Sequence, residues 1–227
     1  AVHAVVPHGI VPLDDSKVDP PSGEQPAAGP TLLYVGRLEK RKGTPELLEA
    51  LADVLEAVPD ARVLVAGGDN SHQDGFREAH GTDYPTHFRR RHPGLARRVE
   101  FLGFVSEERL QELYRDCDLF VAPSRYESFG LIFLEAMNHA RPVVGCASGG
   151  PREIIVEGAT GRLVPPESPA ELAAALIELL RDPELRRRMG RAGRARLLER
   201  YTHVHMARGF VDVYRSIARP DGAAYGK

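Results

Sequence analysis

The sequence predicts a doubly wound α/β domain on a parallel sheet of about six strands. Three observations carry that prediction. Short, continuously apolar runs recur ("TLLYVG", "RVLVAGG", "DLFVAPS", "PVVGCA"), as strands buried on both faces require. Segments of helical period follow these runs, which demands crossover connections between parallel strands. Five strand ends carry glycine or polar residues ("VGRLEKRKG", "GGDN", "GFV", "PSRYES", "SGGPRE"), at the carboxyl edge where such sheets bind ligands.

Taken in order, residues 1–30 read as an interdomain segment and linker. Within them, 14–30 are rich in Pro, Gly and charge and have no apolar period. The first strand is expected over 31–36 and the first helix over 44–58, with Thr44 as N-cap and Pro45 as first helical residue. Leu47, Leu48, Leu51, Val54, Leu55 and Val58 recur there at helical spacing. A strand at 62–68 precedes a polar surface excursion at 70–92. Another strand spans 99–105, and Ser106 with Glu107 and Glu108 opens a helix to about Cys117. A strand at 118–124 leads to a helix over 129–140, and one at 142–147 to a short helix over 151–158. After a small strand near 161–166, Ser168 and Glu171 form a capping box with Pro169 at the first helical position. Further helices run to about Arg219, and 220–227 are expected to be a disordered tail. The result is one Rossmann-like domain over 31–219.

The chain has 227 residues, enough for a substantial core, and a formal net charge of −2, so no global field selects nucleic acid. Cys117 and Cys146 have no metal-type spacing and suit reduced, buried thiols of a cytosolic protein. Apolar runs fall short of the ~18 residues of a membrane span, and no signal peptide is visible. Starting at Ala1 rather than Met, the chain reads as a piece excised from a longer one.

Three constellations carry chemistry. In "GRLEKRKG" (36–43), Gly36 allows close backbone approach while Arg37 and Lys42 offer cations just before a helix N-terminus. That combination suits a phosphate or diphosphate; a solvated basic loop is the other reading. In "ESFGLIFLE" (127–135), a helix starting near Phe129 or Gly130 would point its first N–H groups at the ligand edge. Glu127 and Glu135 would stand roughly 12 Å apart along it. The bland alternative makes Glu127 a cap and pairs Glu135 with an arginine. "ASGGPRE" (147–153) is a Gly-Gly turn that either passes a ligand close to backbone or is only a turn.

Other patterns weigh less. "DCD" (116–118) matches a metal-binding Asp-x-Asp, but three residues recur by chance and Asp118 opens a strand. His72, His80, His87 and His92 match no ligand spacing. The arginine-rich 184–200 suits a solvated helix face better than a nucleic-acid or membrane surface. "GRAGRA" follows no strand and is no dinucleotide fingerprint.

Together, "GRLEKRKG", "FLGFV", "PSRYESFGLIFLEAM" with its Glu-x7-Glu, and "PVVGCASGGPREII" resemble the C-terminal domain of a glycosyltransferase family 4 enzyme of GT-B architecture. The resemblance runs from "VVPHGI" (5–10), similar to the family's interdomain segment, to the helices past Tyr201. It implies that Gly36, Arg37 and Lys42 meet the donor diphosphate and that the backbone at Phe104 and Val105 brackets the nucleobase. Glu127, with Ser128 beside it, would meet the donor sugar. Phe129, Gly130 and Leu131 would present main-chain N–H groups to sugar and phosphate oxygens, and Glu135 would accept from the ribose. Arg37, Lys42 and Glu127 would carry catalysis, with retention of configuration, no cofactor and no essential metal. His8, Ile132 and "NHA" (138–140) depart from the usual pattern. The implied partners are a nucleotide sugar and an absent N-terminal domain, with no nucleic acid. The implied location is cytoplasmic, with room for peripheral association at the inner face of the membrane. A non-catalytic nucleotide-binding domain and, more remotely, a dinucleotide-dependent oxidoreductase are the competing functions.

Overall fold

The computed structural model describes residues 4–18, 24, 26 and 28–218; the predicted tail at 220–227 lies outside them. Six strands form one sheet: β1 Thr31–Val35, β2 Arg62–Ala66, β3 Val99–Gly103, β4 Leu119–Ala122, β5 Val143–Cys146 and β6 Gly161–Val164. Their order is β3-β2-β1-β4-β5-β6 and every pairing is parallel. This is the doubly wound order, whose crossovers diverge at a switch point between β1 and β4.

The pleat explains the continuous apolar runs. Leu32 and Tyr34 enter the core on one face of the sheet, and Leu33 between them enters the core on the other. The first core is filled by α1 (Thr44–Ala57) and α7 (Pro169–Arg181), the second by α4 (Glu107–Asp116), α5 (Leu131–Asn138) and part of α8 (Pro183–Arg200). α6 is the short Pro151–Ile154, and α9 is His203–Ala218.

Several expectations are corrected. Gly43, not Thr44, occupies the cap position of α1; Thr44 is fully buried and its hydroxyl accepts from Glu39 N–H at 3.0 Å. Ser168 makes no capping box, because its hydroxyl turns back to Pro166 O. The excursion at 70–92 is not simply polar surface. It folds into α2 (Phe76–His80) and α3 (Tyr84–Arg91), whose Phe76, Tyr84 and Phe88 are buried in the first core. The arginines of α8 are not all solvated either. Arg186 is 1% exposed and donates to Leu179 O and Leu180 O at 2.8 and 2.7 Å. Arg194 reaches Asn138 O, Leu13 O and Asp15 Oδ1, strapping the N-terminal segment to the body. Within the predicted linker, Asp15–Lys17 form a single 3-10 turn capped by Asp14. Cys117 and Cys146 are free and buried, as expected. No helix among the described residues is long and apolar enough to cross a membrane.

Candidate functional site

β1 and β4 are neighbours at the switch point, so the loops leaving them meet at the carboxyl edge of the sheet. The first loop passes through a 3-10 turn, Lys40–Lys42, and ends on Gly43 at φ 70°. A Cβ on Gly43 would lie 1.9 Å from Pro123 O, so glycine is required both for the backbone angle and for contact between the loops. Arg125 N–H then donates to Arg41 O at 3.0 Å. The Arg125 guanidinium pairs with the largely buried Glu46 of α1 at 2.6 Å and also with Glu167. Two loops from opposite sides of the switch point are thereby held as one unit.

Across this junction Lys42 Nζ meets Glu127 Oε2 at 2.6 Å, both side chains being mostly withdrawn from solvent. Glu127 is itself fixed through its main chain, accepting from Gly150 N–H at 2.8 Å. The "ASGGPRE" turn therefore braces the glutamate. α5 begins immediately afterwards. Gly130, at φ 101°, stands at its N-cap, and no side chain caps the first turn. Its leading N–H groups consequently face the open edge, where a helix favours negative charge. The cleft in front of them, about 270 Å³, is lined by Lys42, Glu127, residues 128–132 and His8.

The structure thus gathers Lys42, Glu127, Ser128, Phe129, Gly130 and Leu131 into one cleft. The remaining expected residues are not part of its lining. Gly36 ends β1 and donates to Ala66 O at 2.9 Å. Arg37, half exposed, pairs with Glu39 at 3.3 Å, and Arg41 shares that carboxylate. Phe104, 88% exposed, stands at the end of β3 with its ring over Gly68, where a Cβ would sit 2.5 Å from it. Val105 turns inward against the second core.

Glu135 lies one turn into α5, and its hydrogen-bond partner is a tyrosine. Tyr114 of α4 donates to its Oε2 at 2.9 Å. Burial pushes the Glu135 carboxyl above its ordinary value, the tyrosine hydrogen bond works against that shift, and nearby Glu107 adds to it.

Asp118 of the "DCD" run accepts from Thr31 N–H at 2.8 Å and Asp116 pairs with Arg115, so both have structural partners. His80 and His87 pack ring to ring at 4.7 Å, yet no group of three or more His, Cys, Asp or Glu among the described residues could hold a metal ion. Sequence reasoning missed Arg125 and Glu46 as the lock between the two loops. Their separation by 79 positions leaves no local signal.

The family model for glycosyl transferases group 1 matches residues 15–196. The phosphatidyl-myo-inositol mannosyltransferase of Mycobacterium leprae is 34% identical over 94% of this chain and 53% of its own length. An α-D-kanosaminyltransferase of Streptomyces kanamyceticus is 36% identical over 70% of this chain and 39% of its own. The chain therefore spans about half the length, or less, of these curated relatives. Among solved structures, Anabaena HepE in complex with UDP and glucose superposes with TM-score 0.71 at 25% identity, over 84% of this chain and 49% of that one. The C-terminal domain of a Francisella tularensis group 1 glycosyl transferase superposes with TM-score 0.69 at 28% identity, over 84% of this chain and 99% of that one. With a family model covering most of its length and relatives above 30% identity, this chain belongs to the glycosyl transferases group 1 family.

Proposed function

We propose that this chain is the C-terminal, donor-binding half of a family 4 glycosyltransferase of GT-B architecture. Its parent enzyme would transfer a hexosyl group from a nucleoside diphosphate sugar to a hydroxyl acceptor with retention of configuration. The observation that carries this reading is the Lys42–Glu127 pair, held at 2.6 Å across the switch point in front of the first turn of α5. A diphosphate entering that cleft meets a lysine, uncapped helix N–H groups and a carboxylate suited to sugar hydroxyls.

Lys42 exchanges its carboxylate partner for phosphate oxygens, and Arg37 swings from Glu39 to do the same. With the α5 N-terminus they stabilise charge developing on the departing diphosphate, which is electrostatic catalysis without a protein nucleophile. Glu127 holds the sugar as its anomeric carbon becomes oxocarbenium-like, and a diphosphate oxygen helps take the acceptor proton. Gly36 and Ser128 shape the approach, main-chain N–H groups at Phe129, Gly130 and Leu131 receive sugar and phosphate oxygens, and Glu135 accepts from the ribose. The backbone at Phe104 and Val105 brackets the base. No metal and no cofactor enters these steps.

The acceptor would be supplied by an N-terminal domain of the same enzyme. α9 supports this: no side chain in it is buried, and Phe210, Val211, Tyr214 and Ile217 are exposed along it. Without that partner the chain should bind nucleotide and turn over little. We assign the enzyme to the cytoplasm. Work at the inner membrane face is in keeping with a relative whose name places its action on phosphatidyl-myo-inositol. Nucleic acid is not a partner on this reading, because a formal net charge of −2 sets up no global field for it.

A thermal-shift panel of UDP, GDP, ADP and NAD tests the reading. At about 100 times its dissociation constant, the matching nucleoside diphosphate stabilises by about 2.7 kcal/mol, a rise of roughly 5–10 °C for a domain of this size. A shift with NAD alone, or with no nucleotide, would overturn it.

A further inference from the structure

The donor-site residues do not account for the whole lining of the cleft. His8, in the segment that precedes β1, also lines it. Its ring stands edge-on to Phe129 at 5.2 Å, and Phe129 in turn packs against Tyr201 at 6.2 Å.

The main chain around His8 is tied down. Ile10 N–H donates to Tyr201 O at 2.9 Å, and His203 N–H donates back to Ile10 O at 2.8 Å. Gly9 runs so close to this junction that a Cβ on it would lie 2.2 Å from Thr202 O. Leu13 N–H is held by Asn138 Oδ1 at 3.0 Å. A short strap therefore holds an exposed imidazole at the lining of the cleft.

Charge makes the placement meaningful. Lys42 is already paired with Glu127, and Arg37 shares the Glu39 carboxylate with Arg41. A diphosphate brings at least two negative charges into a cleft whose lysine is already paired. His8 has no carboxylate partner at salt-bridge distance among the described residues, and a ring N–H can donate without first breaking an ion pair.

We propose that His8 is a further donor-recognition residue, whose ring N–H donates to an oxygen of the distal phosphate or of the attached sugar. The inference rests on the nucleotide-sugar reading of the cleft. It adds a selective element. His8 faces the first turn of α5, whereas Glu135 lies farther along that helix, so His8 should sense the distal phosphate and sugar rather than the nucleoside.

Calorimetric titration with a nucleoside monophosphate, the matching diphosphate and the matching sugar nucleotide separates the possibilities. His8→Ala should weaken the diphosphate and sugar nucleotide by about tenfold or more, the size of one charge-assisted hydrogen bond. The monophosphate should change less than about twofold, and His8→Gln, which keeps an N–H donor, should recover part of the loss. Equal affinities for wild type and His8→Ala, or equal losses for all three ligands, would overturn the role of His8 while leaving the donor site intact. Failure of wild type to bind any of the ligands would overturn the donor-site reading itself, and His8 with it. The unliganded melting temperature of His8→Ala should match wild type, since the side chain is exposed.

Discussion

Two sets of buried cations in this protein behave in opposite ways. On α8, Arg186 is 1% exposed and donates to Leu179 O and Leu180 O, with Asp118 4.0 Å away. Arg194 binds main-chain and side-chain oxygens of the N-terminal segment and of Asn138. At the switch point, Lys42 has one strong partner, Glu127, in a cleft open to solvent. A cation surrounded by several fixed oxygens is locked into the fold. A cation with one carboxylate beside uncapped helix N–H groups is the arrangement proposed to trade that partner for an anion. On that reading, burial of charge alone does not mark a functional residue; the number and kind of its partners does.

The comparison breaks most visibly on α8. Arg186→Ala strands the carbonyls and Asp118 and opens a void, costing about 3–5 kcal/mol. That is a fall in melting temperature on the order of 10 °C. Nucleotide affinity of the folded fraction should not change. A melting temperature within about 2 °C of wild type would mean that the α8 arginines are not structural locks.

A smaller effect separates function from stability at Glu135. Burial raises its carboxyl pKa in the folded state, so the folded chain binds that proton more tightly than the unfolded chain. Its contribution to stability is fully present at pH values below the unfolded pKa and is lost as pH rises through the folded one. At pH 7 the ionised side chain is thus a burden on the fold. Glu135→Gln should keep the acceptor for the Tyr114 hydroxyl and raise the melting temperature by about 2 °C at pH 7. The gain should shrink toward pH 4, and nucleoside diphosphate affinity should fall. A destabilised variant with unaltered affinity would assign Glu135 to packing instead.

Much of this was legible in the sequence. The strands were readable because a parallel sheet covered on both faces leaves runs such as Leu32–Leu33–Tyr34 apolar at every position. The loop at 36–43 and the start of α5 were readable because glycine, cations and a helix start leave a local pattern. What stayed hidden is long-range. Phe76, Tyr84 and Phe88 look isolated within a polar stretch and become core only when α2 and α3 fold onto α1. The hydrogen bonds from Arg194 to Leu13 and Asp15 span 181 and 179 positions, and that from Arg125 to Glu46 spans 79. His8 stood out only as a departure from the family pattern; the other segments that line its cleft are far from it in sequence. Ser168 shows the limit of a local motif, since a capping-box pattern was present and the side chain bonded elsewhere.

The central claim is that Lys42 leaves Glu127 to bind a nucleoside diphosphate. Calorimetric titration of wild type and Lys42→Ala with UDP and GDP tests it most directly. The account predicts that whichever diphosphate binds wild type loses about 10–100-fold in affinity in the variant, while the unliganded melting temperature falls by no more than about 3 °C. Equal affinity in the two proteins would contradict it.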